Sequence, residues 1–296
     1  MIPPAPASSA SVAPKSKVVQ WVEDHTDRTL GTDPGAFDPD YVREILHRLR
    51  WLYGERDTYF RLDVRGWDNV PEAPALIVSN HSGGTSIPDV WGLALAWHKH
   101  FAITRPLHVL AHEMVFTFEA TGRPLSKAGV LRANPWLGKE VLTRWRRDLL
   151  VMPGGDVDVW RPYRERYKVK FAGRKGYARL ALRTGVPVVP VANAGAHEGL
   201  LVLTDGQAVA RMLRFPKLFR ARIFPVSLSF PWGLAIGPWP HIPPPSRLRY
   251  RIGKPIYPPG RIALGKDVPE ALVDEHDARV QAAVQGLLDE LKAEEH

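Results

Sequence analysis

Residues 74–80 read PALIVSN. From Ala75 to Val78 every side chain is apolar, with no alternation. A strand with one wet face alternates, because successive side chains point to opposite sides. An unbroken apolar run suits a strand buried on both faces, the kind found in parallel sheets covered by helices. The surrounding sequence agrees. YFRLDVRGWDNV (59–70) reads as strand and turn, Ile87 to Phe101 as helix, and RPLHVLAHE (105–113) as strand. KEVLTRWRRDLLVMPGG (139–155) reads as helix then strand, and GRKGYARLALRTGVPVVPVANAG (173–195) as loop, helix, strand. RLRYRIG (247–253) alternates like an edge strand. Strands alternating with helices predict an α/β fold with a mostly parallel central sheet flanked by helices.

The ends differ from this middle. Residues 1–37 are rich in Pro, Ala and Ser and read as a disordered tail. An amphipathic helical region, 38–63, follows. Asp38 and Asp40 can cap it, and Val42, Ile45, Leu46, Leu49 and Leu52 recur at helical spacing. Arg43, His47, Arg48 and Arg50 lie opposite, near Trp51, so this segment could rest on an anionic bilayer or pack on the domain. The main domain is expected over 64–262. In 263–296, Val280, Val284, Leu287, Leu288 and Leu291 define one face of a C-terminal amphipathic helix.

Composition narrows the function classes. With 296 residues, 45% of them hydrophobic, the chain can bury a sizeable core. It has no cysteine, which removes thiolate nucleophiles and Cys-based metal sites. No apolar run approaches the ~18–20 residues of a membrane span, and the N-terminus does not read as a signal peptide. The net charge of +9 favours anionic partners: nucleic acid, anionic lipid or phosphorylated small molecules. No nucleic-acid recognition motif accompanies the charge. His98, His100, His108 and His112 raise the question of metal. His108 and His112 fall in a strand pattern that holds them too far apart to chelate, so no metal is expected. Neither a Walker sequence nor GxGxxG is present, and no GxSxG surrounds Ser82.

The chemistry concentrates after the apolar strand, in NHSGGTSIPD (80–89). Catalytic groups in open α/β sheets gather at the carboxyl ends of strands. A histidine there can take a proton from a hydroxyl near neutral pH, and a carboxylate can fix its tautomer. Asp89 can serve His81 only if the loop folds back, which Gly83 and Gly84 permit. It has a second reading: Ser86 and Asp89 in SIPD have the form of a helix-capping box, with Pro88 in the first turn. A second strand end, MPGG (152–155), leads to Arg161, Arg164 and Arg166. Such turns let backbone N–H groups approach an anion. In GRKG (173–176), Arg174 and Lys175 precede a helix and could meet an anion with its N-terminus.

Taken in order, these pieces resemble the glycerolipid (lysophospholipid) acyltransferase family over residues 64–256. The family's first motif is a strand ending in Asn-His and followed by an acid. Seven residues separate His81 from Asp89 here, where the usual form has four. The longer form is similar to the NHSGG…PD subgroup related to mono- and diacylglycerol acyltransferases. SKAGVLRANPWLGKEVL (126–142), with Gly129 and Arg132, resembles the second block. MPGG stands where phosphate-acceptor members carry Phe-Pro-Glu-Gly, and GVPVVPVANAG (185–195) resembles the fourth.

The resemblance implies transfer of an acyl group from a thioester, on coenzyme A or acyl carrier protein, to a hydroxyl of a glycerolipid or related acceptor. His81 would be the general base and Asp89 its orienting partner. Gly83, Gly84, Pro153, Gly154 and Gly155 would line the substrate and supply oxyanion donors. Arg132, Arg161 and Arg174 would meet a phosphate on the acceptor or the acyl carrier. The acyl carrier is a co-substrate, and no separate cofactor is implied. Gly154 at the Glu position shifts weight toward a neutral acceptor. Such an enzyme would be cytoplasmic and peripheral on the inner face of a membrane, with 38–57 and the Trp-rich 231–240 as contacts. The competing expectation is a non-catalytic lipid-binding or scaffolding protein on the same fold.

Overall fold

A computed structural model describes residues 28–295, except 73, 209–222, 261 and 263–266. An eight-stranded sheet forms its centre, in the order β1-β2-β11-β7-β3-β6-β4-β5. These strands are β1 (Tyr53–Gly54), β2 (Phe60–Arg65), β3 (Leu76–Ser79), β4 (Leu107–Ala111), β5 (Val130–Arg132), β6 (Asp148–Val151), β7 (Val188–Ala194) and β11 (Ser246–Ile252). Every neighbouring pair is parallel except β7 with β11. The mostly parallel α/β architecture expected from the sequence is therefore present.

The PALIV run shows why its strand carries no polar side. Leu76 and Val78 enter one core, with Val141, Ala178 and Leu182. Those partners belong to α4 (Pro135–Thr143) and α6 (Gly176–Thr184), and α7 (Glu270–Ala293) adds Val280, Val284 and Leu288. Ala75 and Ile77 enter the other core, with Leu93 and Trp97 of α2 (Pro88–His100). Both faces of β3 are dry, so both demand apolar residues.

This layering also fixes where a site can form. From β3 the chain runs through α2, on one face, to β4. From β6 it runs through α5 (Gly155–Val159) and then α6, on the other face, back to β7. The neighbouring strands β3 and β6 thus send their outgoing loops to opposite faces. Their carboxyl ends form the topological switch point of an open α/β sheet, the place where such folds bind ligands.

Three differences from the sequence reading have physical causes. The RLRYRIG segment is not an edge strand: β11 lies inside the sheet, between β2 and β7. Its alternating Arg249 and Arg251 are buried, because α7 covers them and brings Glu294 and Glu295 as counter-charges. Residues 28–37, expected in the tail, pack on the domain, with Phe37 buried and stacked on His98; residues 1–27 lie outside the described part. The helical region beyond Asp38 is short. Helix α1 (Pro39–Arg48) is capped by Asp38 and buries Val42, and the chain then enters β1 and β2. Two of its cations, Arg43 and Arg48, pair with Asp40 and Glu44 on the same helix.

A second sheet, not foreseen in the Pro- and Trp-rich segment, is antiparallel: β8 (Leu201–Thr204), β9 (Val226–Ser229) and β10 (Gly233–Ile236). On its inner face Val202 packs with Val157, Val159 and Trp160.

Candidate active site

The His81 loop is built by local backbone chemistry. Asn80, the first residue past β3, is buried and pairs with Asn193 near the end of β7. Its Nδ2 donates to the Asn193 carbonyl (2.9 Å), and the Asn193 amide donates to Asn80 Oδ1 (2.8 Å). Ser82 Oγ donates to Asn193 Oδ1 (2.5 Å). Buried amides must find partners, and this reciprocal clamp supplies them while joining two strand ends. Gly83 (φ 87°) and Gly84 (φ 62°) then take left-handed conformations. A Cβ on Gly84 would come 2.6 Å from Leu200 and 2.8 Å from His241, so glycine is needed for space as well as for φ.

The reversal brings Asp89 onto His81. Nδ1 of His81 lies 2.8 Å from Asp89 Oδ2, and the Ser82 amide donates to the same oxygen (2.7 Å). Asp89 is buried, and its Oδ1 has no hydrogen-bond partner, while the His81 ring keeps about a seventh of its surface exposed, 14%. With the Nδ1 proton held by the carboxylate, Nε2 is the nitrogen able to accept a proton. Burial disfavours the imidazolium, but the Asp89 charge and hydrogen bond, helped by Asp158, outweigh it. The His81 pKa is held above its ordinary value.

The capping-box reading of SIPD fails. Ile87, not Ser86, precedes α2, and no side chain caps the helix. Ser86 Oγ donates instead to the His241 carbonyl (2.5 Å), and Thr85 Oγ1 to that of Trp239 (3.0 Å). Ile87 sits at φ 41°, an unfavourable conformation for a β-branched residue. These side-chain ties anchor the loop just ahead of that strain.

The MPGG turn meets the same loop through α5. Asp158 Oδ2 accepts the His81 amide (2.6 Å), and Oδ1 accepts Arg161 Nη1 (2.8 Å). Burial raises the Asp158 pKa, against the Arg161 charge and the His81 amide, which lower it. His197 is buried between these groups. Its Nδ1 accepts the Gly83 amide (3.3 Å) and its Nε2 donates to the Arg161 carbonyl (2.8 Å). Burial and the Arg161 charge push its pKa down to about 3, so it stays neutral.

Arg161 is therefore not a substrate-phosphate ligand. It is fully buried, and besides Asp158 it donates to the carbonyls of His81, Asp158 and Arg166. Arg174 is held on the MPGG turn by the Pro153 and Gly154 carbonyls and by Asp156 (2.5 Å). Lys175 pairs with Asp274 (2.6 Å), so the anion site expected at GRKG is filled from within. Arg132 ends β5, three strands from β3 (about 14 Å at the usual strand spacing). It donates to the Leu30 carbonyl (2.8 Å) and stacks over Phe116. The three arginines do not converge. Gly154, at the family's Glu position, leaves no room for a side chain: a Cβ there would collide with Asp158 and the Lys170 carbonyl. Among the proposed oxyanion donors, the Gly83 amide is given to His197 and the Gly155 amide to Met152 O (3.2 Å).

Sequence reasoning missed Asn80, Asp158, Asn193 and His197 as members of this network. Asn193 carried a usable signal, a polar residue inside an apolar strand run. Asp158 did not, since acids are ordinary in a loop. A cleft of about 570 Å³ lies elsewhere, between α1, β2 and the far end of α2, lined by Leu49, Tyr53, Leu62, Trp67 and Lys99.

The acyltransferase family pattern matches residues 61–194, from β2 to the end of β7. An uncharacterized protein of Mycobacterium leprae is 30% identical over 261 residues, which are 86% of this chain and 67% of that protein. The chain belongs to the acyltransferase family. An uncharacterized protein of Mycobacterium tuberculosis is 31% identical over 225 residues, or 76% of this chain. The match spans 59% of that relative's length. A Gallus gallus protein named DGAT1/2-independent enzyme synthesizing storage lipids is 26% identical over 248 residues, 83% of this chain and 64% of its own. The crystal structure of the 1-acyl-sn-glycerophosphate acyltransferase PlsC of Thermotoga maritima aligns with a TM-score of 0.48 and 19% identity, covering 86% of this chain and 80% of that one. The acyltransferase pattern thus contains His81, Asp89, Asp158, Arg161 and Asn193.

Proposed function

We propose that this chain is an O-acyltransferase that moves a fatty acyl group from an acyl thioester to a hydroxyl of a neutral glycerolipid or related lipid alcohol. The observation that carries the reading is the 2.8 Å His81–Asp89 contact at the β3–β6 switch point, inside the acyltransferase pattern. Nε2 of His81 takes the hydroxyl proton as the oxygen attacks the thioester carbonyl. The tetrahedral intermediate collapses, the C–S bond breaks, and the imidazolium returns its proton to the leaving thiolate. Asp89 holds the ring and stabilises its charged form. The donor is an acyl-coenzyme A or acyl carrier protein.

A neutral acceptor is favoured by the loss of the Glu and by the internal engagement of Arg132, Arg161 and Arg174. The name of the Gallus gallus relative, an enzyme synthesizing storage lipids, points the same way. No helix among the described residues is long and apolar enough to cross a membrane. The test is a labelled acyl-coenzyme A assay across mono- and diacylglycerol, a fatty alcohol and lysophosphatidate. Transfer to the neutral alcohols, lost in His81→Ala, supports the reading. Absence of transfer to any acceptor, or undiminished transfer in the mutant, sinks it, the former in favour of a lipid-binding scaffold.

A further inference from the structure

The three-stranded sheet turns an unusual surface outward. Leu201, Leu228 and Leu234 are cross-strand partners and form a row across all three strands, each between 38% and 61% exposed. Phe230, Trp232 and Trp239 stand beside this row, each more than half exposed. From Ile223 to Ser246 the sequence holds no Asp, Glu, Lys or Arg, in a chain that is 24% charged. Soluble monomers seldom expose a contiguous apolar patch of more than a few hundred Å² unless it binds something.

We propose that this face docks on an anionic lipid bilayer and holds the catalytic loop against it. The lipid-acceptor role rests on the proposed acyltransferase activity; the docking itself does not. Three observations select a bilayer over a second copy of the chain. A protein of net charge +9 repels its own copies and is drawn to an anionic surface. The patch has no charge to desolvate, and its two indole N–H groups already have partners. Trp239 Nε1 donates to the Ile236 carbonyl (2.8 Å) and Trp232 Nε1 to that of Pro240 (2.5 Å), so the rings can enter an apolar layer without losing a hydrogen bond to water. Finally, the patch is continuous with the site. The Trp239 and His241 carbonyls accept from Thr85 and Ser86, within five residues of His81 in the chain.

The experiment is vesicle co-sedimentation of the full chain, with phosphatidylcholine vesicles and with vesicles that also contain phosphatidylglycerol. Two double variants are used, Trp232→Ser with Leu234→Ser, and Leu201→Ser with Leu228→Ser. The wild type is expected to bind the mixed vesicles more tightly than the neutral ones. Each variant should lower the partition coefficient at least about tenfold, since two large apolar contacts are removed, with an unchanged melting temperature. Using two variants means that one misfolded protein does not decide the result. The proposal is overturned if the wild type binds neither vesicle, or if both folded variants bind like the wild type. It is equally overturned if sedimentation velocity finds a dimer that the variants dissociate, which would assign the face to a second copy. Binding is read without acyl donor or acceptor, so failure of the acyl-transfer reading leaves this result standing.

Discussion

At the carboxyl edge of the main sheet, Asn80, Ser82, Asp158, Arg161, Asn193 and His197 are buried, and each is hydrogen-bonded to another side chain or backbone group. The three-stranded sheet, tied to the His81 loop through Thr85 and Ser86, has the opposite character: few polar side chains, no charge and an apolar face in the open. One region spends its sequence on orienting a single imidazole. The other leaves unburied the side chains that would ordinarily stabilise a core. Substitutions should separate them, the first region responding in intrinsic rate and stability and the second in membrane binding with little change in stability.

The largest effect is expected at the base. His81→Ala should lower acyl transfer by about 10²–10⁴-fold, the usual worth of a positioned acid–base group, with little change in melting temperature. Asp89→Asn tests the partner through pH. His81 must be neutral to accept a proton, so activity rises as pH climbs through its pKa, which the carboxylate keeps raised. Removing that negative charge lowers the pKa. The rising limb should move to lower pH while kcat falls by about 10²–10⁴-fold. A limb that stays in place would break the link between the two residues.

Stability comes next. Arg161→Ala leaves Asp158 buried with an unpaired charge, and denaturant melts should show a loss of about 3–5 kcal/mol. Gly154→Glu, which restores the residue of phosphate-acceptor relatives, should cost about 1–3 kcal/mol through overpacking against Asp158 and bring no lysophosphatidate activity. A tolerated Glu with new phosphate-acceptor activity would show that the turn adapts. The smallest effect belongs to the open sheet: Leu234→Ser should change stability by no more than about 0.5 kcal/mol. A loss of several kcal/mol would mean that the face is covered.

The same contrast explains what the sequence made legible. The β3, β6 and β7 strands announced themselves because burial on both faces leaves one composition available. His81 and its glycines could be found because a histidine after such a strand is chemically conspicuous. The Asp89 question stayed open, since a first-turn acid after Ser86 fits a helix cap equally well; only the left-handed turn at Ile87 and the capture of Ser86 by His241 decide it. Arg161 misled because a guanidinium near a Gly-rich turn suits a substrate phosphate and a buried carboxylate alike. Arg249 and Arg251 misled for a related reason: an alternating charge looks wet until a distant helix brings the counter-charges. The three-stranded sheet escaped because β8 and β10 are apolar on both sides, while β9 (VSLS) turns Leu228 outward and buries Ser227, the reverse of the usual pattern.

The prolines of that sheet have a consequence for handling the protein. An apolar strand with unpaired edges and no charge is a template for intermolecular cross-β growth. Here Pro231 and Pro238 flank β10, an edge strand of that sheet. Each lacks the N–H that an added strand would need. Their density, at first only a compositional oddity, makes them gatekeepers against aggregation in a segment that carries no gatekeeping charge. Pro238→Ala should leave the fold and the vesicle binding intact and shorten the lag before turbidity in concentrated solution.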